Sequence, residues 1–243
     1  MRKLSGQRIL ITRAKEDCAS WAAQLKRLGA IPVIFPCIEC KAIETGKLRA
    51  KLARELPQTH WLVFTSRRGV DAFTTLHDKP LAEKLKVAVV GPATAQIART
   101  RLGRVDFISE NGTAASLGEE LGEKIASPSR LLIAVAENAD EKLENALSSA
   151  GKECVRLDLY RTMPKKVQTP RKTVSSLSAT NIFFASPSAV TGLINQVELD
   201  ATPHIFTIGP STTASIRAAG LKVTGEANQS NLQGLLEAFI CAN

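Results

Sequence analysis

The sequence predicts an α/β protein with two similar domains, each a parallel sheet flanked by helices. Two observations predict the α/β class and the pair of domains. Short apolar runs rich in β-branched residues alternate with stretches of helical periodicity throughout the 243 residues. The same series of motifs also occurs twice along the chain.

The first motif is a β-α-β unit at the start of the chain. Residues 8–13, RILITR, form an apolar run typical of a buried parallel strand, and IPVIFP supplies the next strand. Gly29 stands where glycine commonly ends a helix. Four apolar residues recur at helical spacing before it: Trp21, Ala22, Leu25 and Leu28.

The same plan returns in residues 130–160, where a strand, a helix ending at Gly151 and another strand follow one another. Gly151 lies 122 residues after Gly29. Ser186 of FFASPSAV lies 120 residues after Ser66 of VFTSRRGV, and TIGPSTTA follows VVGPATA at an offset of 118. A slowly falling offset indicates an internal duplication with small deletions in loops.

Composition restricts the partners. Lys and Arg total 32 against 23 Asp and Glu, and the net charge of +9 favours an anionic partner or simply a basic surface. Aromatic residues make up 5 % and no helix-turn-helix or zinc-finger pattern occurs, so we expect no nucleic-acid binding. No apolar run approaches the ~18 residues of a membrane helix, and the N-terminus lacks a signal-peptide pattern. We therefore expect a cytoplasmic protein without membrane contact.

Cofactor and metal motifs are missing from the sequence. Cys37 and Cys40 form a C-x-x-C in an extended stretch, whereas redox sites of this type need a helix start, so we interpret both as strand residues. The histidines show no ligand spacing. No G-x-G-x-x-G, P-loop or Ser-His-Asp pattern is present. These observations favour a reaction without cofactor or metal, or simple binding.

Small polar residues recur at the junctions where an apolar strand gives way to a helix. Ligands of parallel sheets bind at the carboxyl ends of strands, and the first N–H groups of a helix attract anions. The alternative is that these residues are only helix caps. We expect the junctions of both domains to face one cleft and to bind a large anion with several negative groups. The candidate residues are Thr65, Ser66, Gly91, Thr94, Ser186, Ser188, Gly209, Thr212 and Thr213.

The chain resembles the uroporphyrinogen-III synthase family over nearly its full length. The motifs that carry the resemblance, in family order, are ITRAKEDCASWAAQLKRLGAIPVIFPCIE, VFTSRRGVDAF, VAVVGPATA, LDLYRT, FFASPSAV, IFTIGPSTTASIRAAGLKV and NLQGLLEAF. The resemblance implies a discontinuous first domain, a continuous second domain and two connecting strands. The implied limits are 1–36 plus 166–243 for the first domain, 42–160 for the second, and 37–41 and 161–165 for the connectors.

The resemblance also implies an activity. The family cyclises hydroxymethylbilane, an open chain of four pyrroles with eight carboxylates, and inverts the fourth ring to give uroporphyrinogen III in heme biosynthesis. It implies a lyase that releases water, needs no cofactor and acts as a monomer, with at most a transient contact with the preceding pathway enzyme. The alternative is a non-catalytic two-domain module that binds an anionic tetrapyrrole or a phosphorylated ligand.

The resemblance assigns roles to particular residues. Tyr160 is the only tyrosine and matches the family's Y-R-T position, where a phenol could protonate the leaving hydroxyl or merely pack at the hinge. Thr94 and Thr212 match the family's Gly-Pro-x-Thr threonines and complete the implied catalytic set. Arg13 follows the first strand and could pair with a substrate carboxylate or cap the sheet edge. The implied substrate-binding set is Arg13, Thr65, Ser66, Gly91, Ser186, Ser188, Gly209 and Thr213.

Overall fold

The computed structural model describes residues 4–242, and contacts divide them into two compact units. The first unit comprises the described residues up to Cys40 and those from Thr162 onward. The second unit is the continuous stretch Lys41–Arg161. The chain therefore passes between the units at two points, and each point lies inside one of the segments interpreted above as connectors.

Strands and helices alternate along the chain. The strands are β1 (Arg8–Ile11), β2 (Ile31–Ile34), β3 (Ile38–Ala42), β4 (Trp61–Phe64), β5 (Lys86–Val89), β6 (Phe107–Ile108), β7 (Arg130–Ala136), β8 (Glu153–Pro164), β9 (Lys172–Thr173), β10 (Asn181–Phe184), β11 (Val197–Glu198), β12 (His204–Thr207) and β13 (Gly225–Glu226). The helices are α1 (Lys15–Arg27), α2 (Gly46–Glu55), α3 (Arg67–Leu76), α4 (Pro92–Leu102), α5 (Ala114–Lys124), α6 (Lys142–Ser149), α7 (Val174–Leu177), α8 (Pro187–Gln196), α9 (Pro210–Ala218) and α10 (Leu232–Ala242).

Each unit contains a sheet with the same topology. In the first unit, parallel strands follow the order β2-β1-β10-β12-β13. In the second, the parallel order is β8-β7-β4-β5-β6, with β3 beside β8 at the edge. Matching strands one by one pairs β1-α1-β2 with β7-α6-β8, which are the two β-α-β motifs repeated in the sequence. The duplication is therefore present in the fold, with the first β-α-β motif of each copy placed in the other copy's unit.

The strand order reverses at one place in each sheet, between β1 and β10 in the first unit and between β7 and β4 in the second. In open parallel sheets, ligands bind outside the carboxyl ends of the strands at such a switch point. Both β1 and β10 run into helices there, as does β4. The fold thus predicts one ligand-binding edge in each unit.

Apolar residues on alternating sides of the strands explain the continuous hydrophobic runs. In β1, Ile9 and Ile11 face one cluster with Trp21, whereas Leu10 faces the cluster on the opposite side of the sheet. Leu28, the last of the four residues at helical spacing, lies just beyond the end of α1 at Arg27 and is 44 % exposed, whereas Trp21, Ala22 and Leu25 are buried. Gly29 follows with a positive φ of 87°, as expected for glycine at a helix end.

The connector backbone packs directly against α8. The Cys37 carbonyl accepts a hydrogen bond from the Lys165 backbone N–H at 2.8 Å, so the two connecting segments are bound to each other. A Cβ at Gly192 would lie 1.7 Å from that carbonyl oxygen. Burial raises the pKa of the Cys37 thiol, which donates to the Phe35 carbonyl, in agreement with the interpretation of a structural cysteine.

Replacing Gly192 by alanine should destabilise the protein, because the methyl group would overlap the backbone of Cys37. We expect the free energy of unfolding to fall by about 1–3 kcal/mol or more, as for overpacked cores. Urea unfolding followed by circular dichroism measures the change. Gly46→Ala is the matched control, since a Cβ there has no neighbour within 4 Å. Equal stability of the two variants would show that α8 can move away from the connector without loss.

Candidate functional site

The second unit's site begins where β4 ends. Thr65 and Ser66 follow the strand, and Ser66 caps α3 by accepting the Gly69 backbone N–H at 3.0 Å. The same Ser66 Oγ lies 2.9 Å from the Tyr160 hydroxyl oxygen on β8. Tyr160 is 9 % exposed, so the structure places the phenol ring inside the unit with its hydroxyl at the helix start. The predicted residues Ser66 and Tyr160 therefore form one hydrogen-bonded pair.

An arginine that sequence reasoning missed fixes the loop after β7 at the same edge. The Arg156 guanidinium donates to the carbonyl oxygens of Ala136 at 2.8 Å and Ala139 at 3.1 Å. It also pairs with the carboxylates of Glu144 and Asp158, each at 2.7 Å. One side chain thus holds the loop in place. No local sequence pattern marks Arg156, because all its partners except Asp158 come from the preceding strand, loop and helix.

The two Gly-Pro motifs occupy equivalent helix starts. Gly91 and Gly209 are the caps of α4 and α9, and a proline fills the first helical position in each. Thr94 and Thr212 follow at the third helical position, and both side chains are buried. The motifs therefore lie at strand-to-helix junctions, as the sequence predicts.

Thr212 differs from its prediction in one respect. The first N–H groups of a helix were expected to bind an anion, but the Thr212 N–H donates to the Gly209 carbonyl at 3.1 Å because the first turn is tight. The Thr212 side chain is 1 % exposed, and its Oγ1 has no hydrogen-bond partner among the described residues. A buried hydroxyl without a partner is costly, so Thr212 is the stronger candidate for a hydrogen bond to a ligand.

The Thr213 hydroxyl is directed into the first unit. Its Oγ1 lies 2.6 Å from the Thr207 hydroxyl and donates to a carboxylate oxygen of Glu226. These partners from its own unit occupy the Thr213 hydroxyl, which the resemblance assigned to substrate binding. Thr207 and Glu226 were not among the predicted residues.

The remaining first-unit residues follow β1 and β10. Ser186 caps α8 by accepting the Ala189 backbone N–H at 3.3 Å, and its Oγ lies 3.2 Å from Ser188 Oγ. Thr12 Oγ1 donates to the Phe183 carbonyl at 2.9 Å, which ties the two central strands together at the switch point. The junctions also lie near each other within the unit, since the Ile208 N–H donates to the Phe184 carbonyl.

Arg13 lies along the first turns of α1. Its guanidinium carbon is 4.6 Å from the centre of the Trp21 ring, and one nitrogen lies 3.5 Å from the Asp17 carboxylate. The substrate-binding role of Arg13 stays a prediction. The contacts do hold the positive charge at the carboxyl end of β1.

The described residues hold no cluster of three or more histidine, cysteine or acidic side chains suited to a metal ion. Among residues 4–242, no helix combines the length and apolar character that a bilayer crossing requires.

Comparison with known protein families decides the assignment. A family model described as uroporphyrinogen-III synthase HemD matches residues 19–237. The chain belongs to the uroporphyrinogen-III synthase family. The resemblance noted in the sequence is thereby confirmed, and with it the function of this family in porphyrin biosynthesis.

Individual relatives are distant but match almost the whole chain. The porphyrin biosynthesis protein HemD of Ruminiclostridium josui is 26 % identical over 98 % of this chain, which spans only 49 % of that protein. The uroporphyrinogen-III synthase of Synechococcus elongatus is also 26 % identical, over 97 % of this chain and 95 % of its own length. The putative synthase of Methanocaldococcus jannaschii is 28 % identical over 88 % and 90 %.

Solved structures share the fold. The uroporphyrinogen-III synthetase of Helicobacter pylori superposes with a TM-score of 0.62, 15 % identity and coverage of 98 % and 100 %. A mutant uroporphyrinogen III synthase of Thermus thermophilus gives a TM-score of 0.55, 17 % identity and coverage of 98 % of both chains. The predicted fold class, parallel sheets flanked by helices in the two-domain HemD arrangement, is confirmed.

A double-mutant cycle tests the Ser66–Tyr160 pair. Ser66→Ala should lower the free energy of unfolding by about 1 kcal/mol through the lost helix cap. Combined with Tyr160→Phe, it should show a coupling energy of ~0.5–1.5 kcal/mol, because the two hydroxyls bond to each other. Ser186→Ala with Tyr160→Phe is the control and should be additive. Additivity in both pairs would contradict the hydrogen bond.

Proposed function

We propose that the protein is a lyase that converts hydroxymethylbilane into uroporphyrinogen III and water. The observation that supports this proposal best is the family match over most of the chain, since the relatives include proteins named uroporphyrinogen-III synthase. The reaction breaks the bond from the terminal carbon to its hydroxyl, and the first pyrrole nitrogen supplies electrons. The fourth ring then attacks at its substituted carbon, forming a spiro intermediate that fragments and closes in the inverted orientation.

Tyr160 is the proposed proton donor to the leaving hydroxyl. A phenol is neutral near pH 7 and carries a proton that it can give. Ser66 Oγ accepts the Gly69 N–H, so the serine's own proton can point to the phenol oxygen. In that orientation Ser66 can stabilise the phenolate that is left after Tyr160 gives its proton to the leaving hydroxyl. The fourth ring then loses a proton as it regains aromaticity, and this proton returns Tyr160 to its neutral form.

Substrate carboxylates are the proposed ligands of the helix starts. The starts of α3, α4, α8 and α9 each present N–H groups and the positive end of a helix dipole. Thr94 and Thr212 add hydroxyls there, and the net charge of +9 attracts a polyanion. Holding the bilane in a folded conformation contributes more than any one group, because orientation alone can supply ~7–11 kcal/mol. We also propose that the protein acts as a monomer, without a cofactor, in the cytoplasm.

The decisive experiment incubates the purified protein with hydroxymethylbilane and separates the isomers by chromatography after oxidation. We expect the type III isomer, formed without added metal or nucleotide. Accumulation of type I alone, the product of spontaneous closure, would refute the proposal. Saturable binding of the bilane without any type III product would instead indicate a binding module.

Tyr160→Phe should lower kcat by about 10²-fold, the lower range for loss of a general acid, and leave KM nearly unchanged. The steady-state rate of type III formation measures both parameters. Residual activity is expected, since orientation of the substrate survives the substitution. A raised KM with wild-type kcat would assign Tyr160 to binding alone.

A further inference from the structure

Glu226 is an exposed carboxylate at the carboxyl end of β13, the outermost strand of the first unit's sheet, next to β12. It is the last residue of β13, and one of its oxygens accepts the Thr213 hydroxyl proton. A hydroxyl donates one proton, so Thr207, 2.6 Å away, must donate to the Thr213 oxygen. The hydrogen bonds therefore run from buried Thr207 outward to the carboxylate. Within the described part of the chain, Glu226 has no other hydrogen bond or ion pair, which leaves its second oxygen available.

The repeat shows that the fold does not require these polar groups. Thr207 pairs with Glu226 between β12 and β13, and at the same register Val89 pairs with Ile108 between β5 and β6. Thr213 donates its backbone N–H to Gly209, and Ala95 donates to Gly91 in the same way. The second unit thus fills the three equivalent positions with Val89, Ala95 and Ile108.

Only the first unit replaces this apolar trio by two buried hydroxyls and a carboxylate. Buried hydroxyls are tolerated when they are hydrogen-bonded, but they add little to stability compared with apolar packing. Their effect is to hold a negative charge at the edge where the other groups suit anions. A negative charge repels substrate carboxylates, so the part of the bilane that fits there is a pyrrole N–H.

We propose that Glu226 is a further catalytic residue, one that accepts a pyrrole N–H and stabilises the positive charge that develops on that ring. The inference rests on the proposed function. When the carbon–oxygen bond breaks, its electron pair leaves on oxygen, which takes a proton from the general acid and departs as water. The pyrrole nitrogen lone pair forms a new double bond, and the nitrogen keeps its proton and becomes positively charged. The N–H bond to Glu226 strengthens in that step, which is the condition for lowering the barrier.

Glu226→Gln tests the charge while keeping the shape of the side chain. We expect kcat to fall by about tenfold or more, because a charge-assisted hydrogen bond becomes a neutral one. KM should stay unchanged or decrease, since a negative charge facing a polyanion is removed. Glu198→Gln is the matched control, an exposed carboxylate at the end of β11 in the same unit, and should leave kcat unchanged. A kcat within about twofold of wild type, or a raised KM with unchanged kcat, overturns the inference.

A second variant separates catalysis from folding. Thr207→Val, Thr213→Ala and Glu226→Ile together give the first unit the residues of the second. We expect a free energy of unfolding equal to or above that of wild type, with kcat reduced at least as far as in Glu226→Gln. Wild-type kcat in this variant overturns the inference, as does a loss of stability that accounts for the lost activity.

If the wild-type protein itself forms only type I product, the proposed function fails. If wild type and Glu226→Gln are equally active, only the role of Glu226 fails.

Discussion

The pairing of the central strands is the constraint on which both binding edges depend. β1 pairs with β10 and β7 pairs with β4, and each pair marks the reversal of strand order in its sheet. The Thr12 hydroxyl and the Phe183 carbonyl, 171 residues apart in sequence, meet across the first of these pairs. A slip of one residue in either register would turn every core side chain to the opposite face. The helix starts that follow these strands would then be displaced within each unit, so the positions of Ser66 and Ser186 depend on the packing of their own sheets.

Hydroxyl groups at the helix starts serve the protein itself as well as a ligand. Ser66 and Ser186 are caps, and Thr213 belongs to a hydrogen-bonded chain inside its unit. Thr212 stands apart, because it is buried and its hydroxyl has no protein partner within the described residues. Capping and binding are compatible when the cap leaves a proton or a lone pair unused, as at Ser66. The chemistry assigned to Tyr160 depends on that arrangement, since a serine that accepts a backbone N–H can still donate to the phenol.

Much of this organisation could be predicted from the sequence, because repeats, apolar runs and Gly-Pro junctions are local signals. The strands around Ile9 and Phe183 and the helix starts at Ser66 and Gly209 belong to this group. Leu28 continues the helical spacing although α1 ends at Arg27, because spacing alone does not show where a helix ends. Arg156 and Glu226 were missed because their partners are brought together by strand register, and β13 has only two residues. One signal was available, since aligning VVGPATA with TIGPSTTA sets Val89 against Thr207 and Ala95 against Thr213.

The exchange of β-α-β motifs between the two copies means that the two units can fold at different times during synthesis. The second unit, Lys41–Arg161, is continuous and can complete its sheet as soon as it leaves the ribosome. The first cannot, because β1 must wait for β10 to be translated before it has its inner neighbour. Until then, the apolar surfaces of β1 and α1 remain open to contacts with other nascent chains, a stage at which proteins tend to aggregate. The N-terminal forty residues are therefore the part of this chain that needs a chaperone's protection for the longest time.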